Sequence, residues 1–272
     1  MGLDCRATLR LFRMKKTPSE SLRATNRPFQ NAAGFSLIEL LITLAIIAIL
    51  FSIMMPTFSI VRKSAEKLMC MNNLRAIHYG INGYSNDNRR RFPLSQHAEE
   101  RRYQQTMAMS VIRNPLVDYV QEWDGLGRLY DGGYLDDCKC LFCASHHGLH
   151  PYEDYEGDFV SEKTVPTAGT RLIYTNYQYF DRDPGTSIPF MLDSVNQETM
   201  IVSDGLRTQS DFNHTTGGNA LRGDGHVSWF GNKSVGYKLE MLPEDQTEIA
   251  KKMHQVKLFT DIWTSIQLEV NK

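Results

Sequence analysis

The chain has 272 residues and a formal net charge of −1, and hydrophobic residues make up 42% of it. That length allows one sizeable domain with additional elements, or two small domains. Because the charge is near neutral and no large basic face is evident, the sequence does not have the composition of a nucleic-acid-binding protein, and we expect no nucleic-acid partner.

The N-terminal region is basic, and its acidic residues are only Asp4 and Glu20. Its basic residues are Arg6, Arg10, Arg13, Lys15, Lys16, Arg23 and Arg27. Arg62 and Lys63 follow the next apolar segment, but they are fewer. Since basic flanks of a membrane span remain in the cytoplasm, this bias predicts a cytoplasmic N-terminus.

Residues 35–55 form an apolar segment in which Glu39 is the single charged residue. As a helix with a rise of about 1.5 Å per residue, the segment would be roughly 30 Å long, which is the thickness of a bilayer's hydrocarbon core. Core helices of soluble proteins are rarely so apolar on every side. The pattern predicts one transmembrane helix, which we assign to residues 35–56.

Small residues precede the apolar segment, as Ala32, Ala33 and Gly34. In an ordinary secretory signal the small-residue cleavage site follows the apolar core. Cleavage after Gly34 would instead remove a basic leader, residues 1–34, and retain the hydrophobic helix.

Residues 34–39, with the sequence GFSLIE, resemble the prepilin cleavage and methylation site of type IV pilins and type II secretion pseudopilins. The resemblance implies that a prepilin peptidase cuts after Gly34 and methylates the new N-terminal Phe35. It also implies that Glu39 sets the register between subunits.

A carboxylate within an apolar helix is costly, by about 2.5–3.5 kcal/mol on insertion scales, and therefore needs a partner. The α-amino group of Phe35 in a neighbouring subunit would provide one for Glu39. In the alternative interpretation, Glu39 lies near the lipid headgroups and reaches water.

The pattern of residues 57–83 predicts an amphipathic continuation of the helix, which packs on a head domain. Pro56 is expected to kink or interrupt the helix, and Gly80 with Asn82-Gly83 to end it. The alternative is a signal anchor followed by an unrelated helix. The predicted apolar stripe comprises Val61, Ala65, Leu68, Met71, Leu74, Ile77 and Ile81.

Residues 84–240 predict a pilin-like α+β head domain with a small antiparallel sheet, followed by a C-terminal helix within residues 241–272. Residues 98–123 are expected to be helical in part, with a break at Asn114-Pro115. The predicted strands are residues 171–180, 189–192, 199–203, 219–221 and 226–230.

The C-terminal half carries a second resemblance, formed by His214 and by Asp224-Gly225. Their spacing is similar to the His-x9-Asp-Gly prepilin-type processing-associated domain of large pilin-like proteins, and residues 126–130 and 141–145 also resemble that family. We predict a structural hairpin with the two side chains on opposite sides of a turn. The alternatives are a catalytic pair or, with His226, a metal site.

Five cysteines are present, and the leader contains Cys5. Outside the cytoplasm the remaining four can form disulfides, and the resemblance implies a bond between Cys70 and Cys143. Cys138 and Cys140 would then pair or remain free. The alternative is a zinc site formed by Cys138, Cys140 and Cys143 with an imidazole of His146 or His147.

Some pseudopilins hold calcium in a C-terminal loop through aspartates, and Asp181, Asp183, Asp204 and Asp224 are available here. Aspartate is also common in turns for its own local bonds, so we expect no cofactor.

The sequence therefore predicts a single-pass inner-membrane protein with a periplasmic head. The first hypothesis is a structural subunit that assembles with copies of itself, and with other pilin-like or secretion-system subunits, into a pilus or pseudopilus. The alternative is a monomeric, membrane-anchored envelope protein that uses prepilin processing without filament assembly. An anchored enzyme is the third possibility, for which no catalytic motif was found.

Overall fold

The computed structural model divides into two compact units, whose boundary lies between Ile53 and Met54 within the first helix. The residues that the structure describes are 34–103, 106–113, 120–159, 172–183, 188–214, 216–244 and 256–272. The leader lies outside this set, as do the predicted break at Asn114-Pro115 and the start of the predicted C-terminal helix.

Helix α1, Leu37–Asp87, starts where the carbonyl oxygen of Ser36 accepts hydrogen bonds from the amides of Glu39 and Leu40. It is the helix long and apolar enough to cross a membrane, with a mean hydropathy of 2.7 over its most apolar window. Pro56 lies inside α1, so of the two outcomes expected at this proline, a kink or an interruption, the interruption does not occur. The hydroxyl of Thr57 donates to the carbonyl of Met54, a local bond that a helix accommodates.

The buried stripe of α1 starts later than the sequence predicts. Val61 and Leu68 are 64% and 58% exposed, whereas burial starts at Cys70. The stripe then continues through Leu74, Ile77, Gly80, Ile81 and Ser85. Within residues 54–87 of α1, the head therefore covers the part from Cys70 onward.

The predicted helix end at Gly80 and Gly83 is also wrong, because α1 continues to Asp87. A Cβ atom at Gly80 would lie 3.0 Å from Cδ2 of Leu135, and one at Gly83 would lie 3.1 Å from Cδ1 of Tyr134. The two glycines therefore permit close packing of the helix on the head rather than ending it.

Residues 98–123, between α1 and the main sheet, are predicted to be helical in part. Among the described residues of this range, the first two lie in an α-helix. A short helix α2, Gln96–Glu99, is followed by an antiparallel pair of strands, β1 (Ser110–Arg113) and β2 (Val120–Trp123). The preceding segment pairs with a distant one, since the amide of Met109 donates to the carbonyl of Ile173. Non-local backbone pairing thus overrides the helical tendency of this region.

The described residues between β2 and the main sheet contain one α-helix and three single turns of 3₁₀ helix. Helix α3 is Gly127–Asp131, and the 3₁₀ turns are Cys138–Leu141, Tyr152–Asp154 and Glu156–Asp158.

The main sheet has four antiparallel strands in the order β3-β4-β5-β6. These strands are β3 (Tyr177–Tyr179), β4 (Met200–Asp204), β5 (Gly217–Arg222) and β6 (Val227–Gly231). The predicted strand at residues 171–180 is thus shorter, and residues 189–192 form only isolated bridges at Pro189 and Met191.

The described residues after β6 form two helices, α4 (Asn232–Leu239) and α5 (Val256–Val270). Helix α5 buries Phe259, Trp263 and Ile266 in a cluster with Phe180 of the loop after β3 and Phe230 of β6. The predicted α+β architecture, with a long N-terminal helix, a small antiparallel sheet and a C-terminal helix, is confirmed.

Candidate functional site

The predicted processing junction is open to solvent. Gly34 has no heavy atom within 4 Å of the position that a Cβ atom would occupy, and Phe35 is 78% exposed. A peptidase can therefore reach the peptide bond between these two residues without moving any described part of the chain.

Glu39 has a partner within its own chain. Its Oε2 atom accepts a hydrogen bond of 3.1 Å from the backbone amide of Ser36. Since α1 begins at Leu37, Glu39 is the third residue of the helix, and its carboxylate satisfies one of the unpaired amides at the positive end of the helix dipole. The carboxylate thus stabilises the helix start, and its remaining lone pairs are available to a second donor.

The apolar segment that follows is exposed around the whole helix. Its large apolar side chains between Leu37 and Val61 are 46% to 76% exposed. The hydroxyls of Thr43 and Ser52 donate to carbonyls within the helix. An exterior that is apolar on all sides, with its backbone groups paired internally, is suited to a lipid or to neighbouring helices rather than to water.

The head contains a buried centre around a disulfide that joins Cys70 of α1 to Cys143, with Cα atoms 5.3 Å apart. This is the pairing implied by the family resemblance. Nε2 of His214 lies 3.6 Å from Sγ of Cys143 and 3.6 Å from Oδ2 of Asp204. All four residues are less than 9% exposed. The centre therefore brings α1, the segment after the first 3₁₀ turn, and the end of β4 together.

Amide donors hold the Asp204 carboxylate in this centre. Nδ2 of Asn213 donates to Oδ1 over 3.1 Å, and both the backbone amide and the side chain of Asn219 donate to Oδ2. Complete burial raises the pKa of the Asp204 carboxyl, while the His214 charge and these amide donors oppose the rise. A buried carboxylate of this kind needs all its donors, so the network fixes the geometry around His214.

His214 does not stand opposite Asp224 across the turn as predicted, because its described contacts are with Asp204, Asn219, Cys143 and Trp229. The ring of His214 meets that of Trp229 edge-on at 5.4 Å. His214 also precedes β5 rather than lying in a hairpin strand. Tertiary packing instead places Asp204, the last residue of β4, beside the His214 imidazole.

Asp224 and Gly225 form the turn between β5 and β6. Oδ1 of Asp224 accepts from the amide of His226, and Oδ2 accepts from the Arg222 guanidinium, each over 2.8 Å. Gly225 has a φ of +84°, and a Cβ atom there would lie 2.7 Å from Nε2 of His78. The Asp-Gly pair is therefore explained by the turn and by its contact with α1.

Two cavities lie beside the disulfide centre. One, of about 410 Å³, is lined by His214, Trp229, Lys63 and Lys67 among others, and Nζ of Lys67 is 3.5 Å from the centre of the Trp229 ring. The other, of about 550 Å³, is lined by Cys143 and neighbouring polar side chains. Small solutes can thus approach the centre from two sides.

Cys138 and Cys140 carry free thiols in this structure. Burial raises the pKa of the Cys140 thiol to about 12, so it stays protonated near neutral pH. The alternative zinc set also requires Cys143, which is bonded to Cys70. His146 instead pairs through Nδ1 with Oδ1 of Asn213 over 2.7 Å.

The aspartates considered for calcium have other partners. Asp181 pairs with the Arg182 guanidinium over 2.8 Å and also accepts from the amide of Ser95. Asp204 and Asp224 accept the hydrogen bonds described above. Each of these three carboxylates is therefore accounted for by its protein donors.

Residues 29–55 match the prokaryotic N-terminal methylation motif. The chain carries a prepilin-type N-terminus. The motif indicates a substrate of prepilin peptidase and supports a membrane-associated, type IV pilin-like protein. No curated protein and no solved structure matches the chain. Because the match ends at residue 55, the His-x9-Asp-Gly resemblance stays a prediction.

Proposed function

We propose that the chain is a prepilin-like structural subunit that assembles through its N-terminal helix into a type IV pilus or a type II secretion pseudopilus-like filament. Prepilin peptidase removes residues 1–34 and methylates Phe35. The observation that carries this proposal is the helix that cleavage would leave at the new N-terminus, whose apolar side chains are exposed on every side. Lipid covers such a surface before assembly, and helices of neighbouring subunits cover it afterwards.

The proposed orientation places the leader in the cytoplasm and the head in the periplasm. The basic residues of the leader favour this direction. The Cys70–Cys143 bond supports it, because structural disulfides persist in the periplasm and are rare in the cytoplasm. The partners on this proposal are prepilin peptidase, copies of the same chain, and other pilin-like or secretion-system subunits.

Filament assembly can be tested in a host that contains the corresponding peptidase and assembly machinery. Surface filaments are sheared from cells, and the sheared and membrane fractions are probed for the chain. We expect the mature chain in filaments visible by electron microscopy. Filaments without the chain, together with mature chain confined to the membrane, would favour the monomeric envelope protein instead.

A blocked junction provides the matched comparison. Gly34→Leu places a bulky side chain at the cleavage site and should leave the leader attached and the chain absent from filaments. Gly157→Leu is the control, since no heavy atom lies within 4 Å of the Cβ position at Gly157. Loss of assembly in both variants would show that the assay reports a general effect of substitution.

A further inference from the structure

The disulfide centre places three potential metal ligands within one coordination sphere. Sγ of Cys70, Sγ of Cys143 and Nε2 of His214 all lie within 4.8 Å of one another, and all three residues are buried. In a tetrahedral zinc site with bonds of about 2.0–2.3 Å, neighbouring ligand atoms are roughly 3.4–3.8 Å apart. The distance of 3.6 Å between the imidazole nitrogen and the Cys143 sulfur already has this value.

We propose that the chain with the Cys70–Cys143 bond reduced binds one zinc-class divalent cation through these two thiolates and the His214 imidazole. Once the bond is reduced, the two sulfur atoms can separate from bonding distance to the spacing of two ligand atoms around one tetrahedral zinc ion. The disulfide and the metal-bound form are then mutually exclusive states of one centre.

The electrostatics of the centre suit this ligand set. Two thiolates neutralise the two charges of the cation, so the buried complex carries no net charge. The Asp204 carboxylate, held by Asn213 and Asn219, lies 3.6 Å from the same Nε2 atom of His214. Its negative charge favours a cation at that atom.

His214 lines the cavity of about 410 Å³, and Cys143 lines the cavity of about 550 Å³. Both cavities adjoin a proposed ligand, so they offer a cation a route to the centre and space for a water molecule as the fourth ligand.

The reaction balances with a dithiol as the reductant. The dithiol transfers two electrons and two protons to the Cys70–Cys143 bond and closes to its own cyclic disulfide. Binding of the cation then releases the two thiol protons to water.

Zinc binding by the full-length mature protein in detergent tests the proposal. A Cys138→Ser/Cys140→Ser background removes the other two thiols, and Zn²⁺ is titrated against a chromophoric chelator with and without dithiothreitol. We expect one Zn²⁺ per reduced chain and none per oxidised chain. A reduced chain that binds no Zn²⁺, whether it is folded or not, would overturn the proposal.

The contribution of His214 is measured in the same background. His214→Gln should weaken zinc binding by about 100-fold or more, since even outer-shell partners of metal ligands are worth about 10- to 100-fold. His226→Gln is the matched control, because His226 is exposed in the turn after β5 and should leave affinity unchanged. Equal affinity of the His214 variant and the control would overturn the assignment.

The rate of thiol reoxidation distinguishes a His214 that binds the metal from a His214 with only a structural role. Zn²⁺ should slow the return of the Cys70–Cys143 disulfide at least tenfold in the background protein, measured by quenching with N-ethylmaleimide and mass spectrometry. The same Zn²⁺ concentration should have no effect on His214→Gln. Equal protection in both proteins would contradict the proposal.

Discussion

At the scale of single residues, the carboxylate of Glu39 combines a local and an intermolecular role, which two substitutions can separate. Glu39→Gln keeps an oxygen that can accept from the Ser36 amide, whereas Glu39→Ala removes it. Neither variant retains the charge that pairs with the α-amino group of a neighbouring Phe35. We therefore expect normal cleavage of both variants and at least a tenfold loss of incorporation into filaments, measured by quantitative immunoblotting of sheared material. Incorporation of the Gln variant at the wild-type level would show that capping, rather than charge, is what assembly requires.

Gly127 is a residue at which a single methyl group should destabilise the head. A Cβ atom there would lie 2.2 Å from the carbonyl oxygen of Met109 and 2.7 Å from the Trp123 ring. Because the nearest atom belongs to backbone, relaxation is limited, and Gly127→Ala should lower the unfolding free energy by about 2 to 3 kcal/mol. Gly157→Ala should change it by less than about 0.5 kcal/mol. Denaturant titration followed by tryptophan fluorescence compares the two, and similar midpoints would contradict the packing described at Gly127.

The residues of the N-terminal site were accessible to sequence analysis because they lie within one short stretch of chain. The partners of His214 were not, because Asp204, Asn219 and Cys143 come from different parts of the sequence. Asp204 stood out in the sequence only as a possible calcium ligand.

At the scale of elements, the disulfide fastens α1 to the head. It joins residues separated by 73 positions, and closing a loop of that length in the unfolded chain corresponds to a stabilisation of about 4 kcal/mol in the chain-entropy description. Cys70→Ser/Cys143→Ser should lower the unfolding free energy by about 2 to 5 kcal/mol. The Cys138→Ser/Cys140→Ser variant is the control for loss of two thiols. If both double variants unfold at the same denaturant concentration, the bond does not stabilise the head.

A second prediction at this scale concerns the turn between β5 and β6. Gly225→Ala places a residue with a Cβ atom at a positive φ. It also brings that Cβ atom against the His78 ring. The positive φ alone should lower the unfolding free energy by about 1–2 kcal/mol. Gly231→Ala is the comparison, since the nearest atom to its Cβ position lies 3.6 Å away. Equal thermal midpoints for the two variants would contradict the turn geometry.

Elements were predictable where their pattern is local and strong. The strands near residues 199–203 and 226–230, the apolar helix and the buried face of α5 follow from the sequence. Gly80 and Gly83 misled the prediction, because glycine marks both a helix end and a close approach between elements, and only the packed Leu135 and Tyr134 distinguish the two. The strand at Ser110–Arg113 was missed because its stability depends on distant partners.

At the scale of the whole molecule, half-buried histidines make the head sensitive to acid. Burial lowers the pKa of His78 and His146, with Asp224 opposing the effect at His78 and the Asn213 bond opposing it at His146. The unfolded chain therefore binds more protons than the folded chain just below pH 6.5, so the stabilisation from these histidines is complete above that pH and is lost as the pH falls through their folded-state values.

His146→Gln isolates one of these contributions. It should reduce the proton uptake on unfolding between about pH 5 and pH 6.5 by a fraction of one proton, where one whole proton corresponds to a slope of about 1.4 kcal/mol per pH unit. Denaturant titrations at several pH values give the slope for each protein. A variant with an unchanged slope would show that His146 titrates normally in the folded head.

The N-terminus of the mature protein tests the central claim most directly. The chain is isolated from membranes of a host with prepilin peptidase, and its N-terminal peptide is sequenced by tandem mass spectrometry. We predict a peptide that starts at Phe35 and carries one methyl group on its α-amino nitrogen. An intact leader, or a mature chain that starts beyond the apolar segment, would contradict a prepilin-like subunit that retains its N-terminal helix.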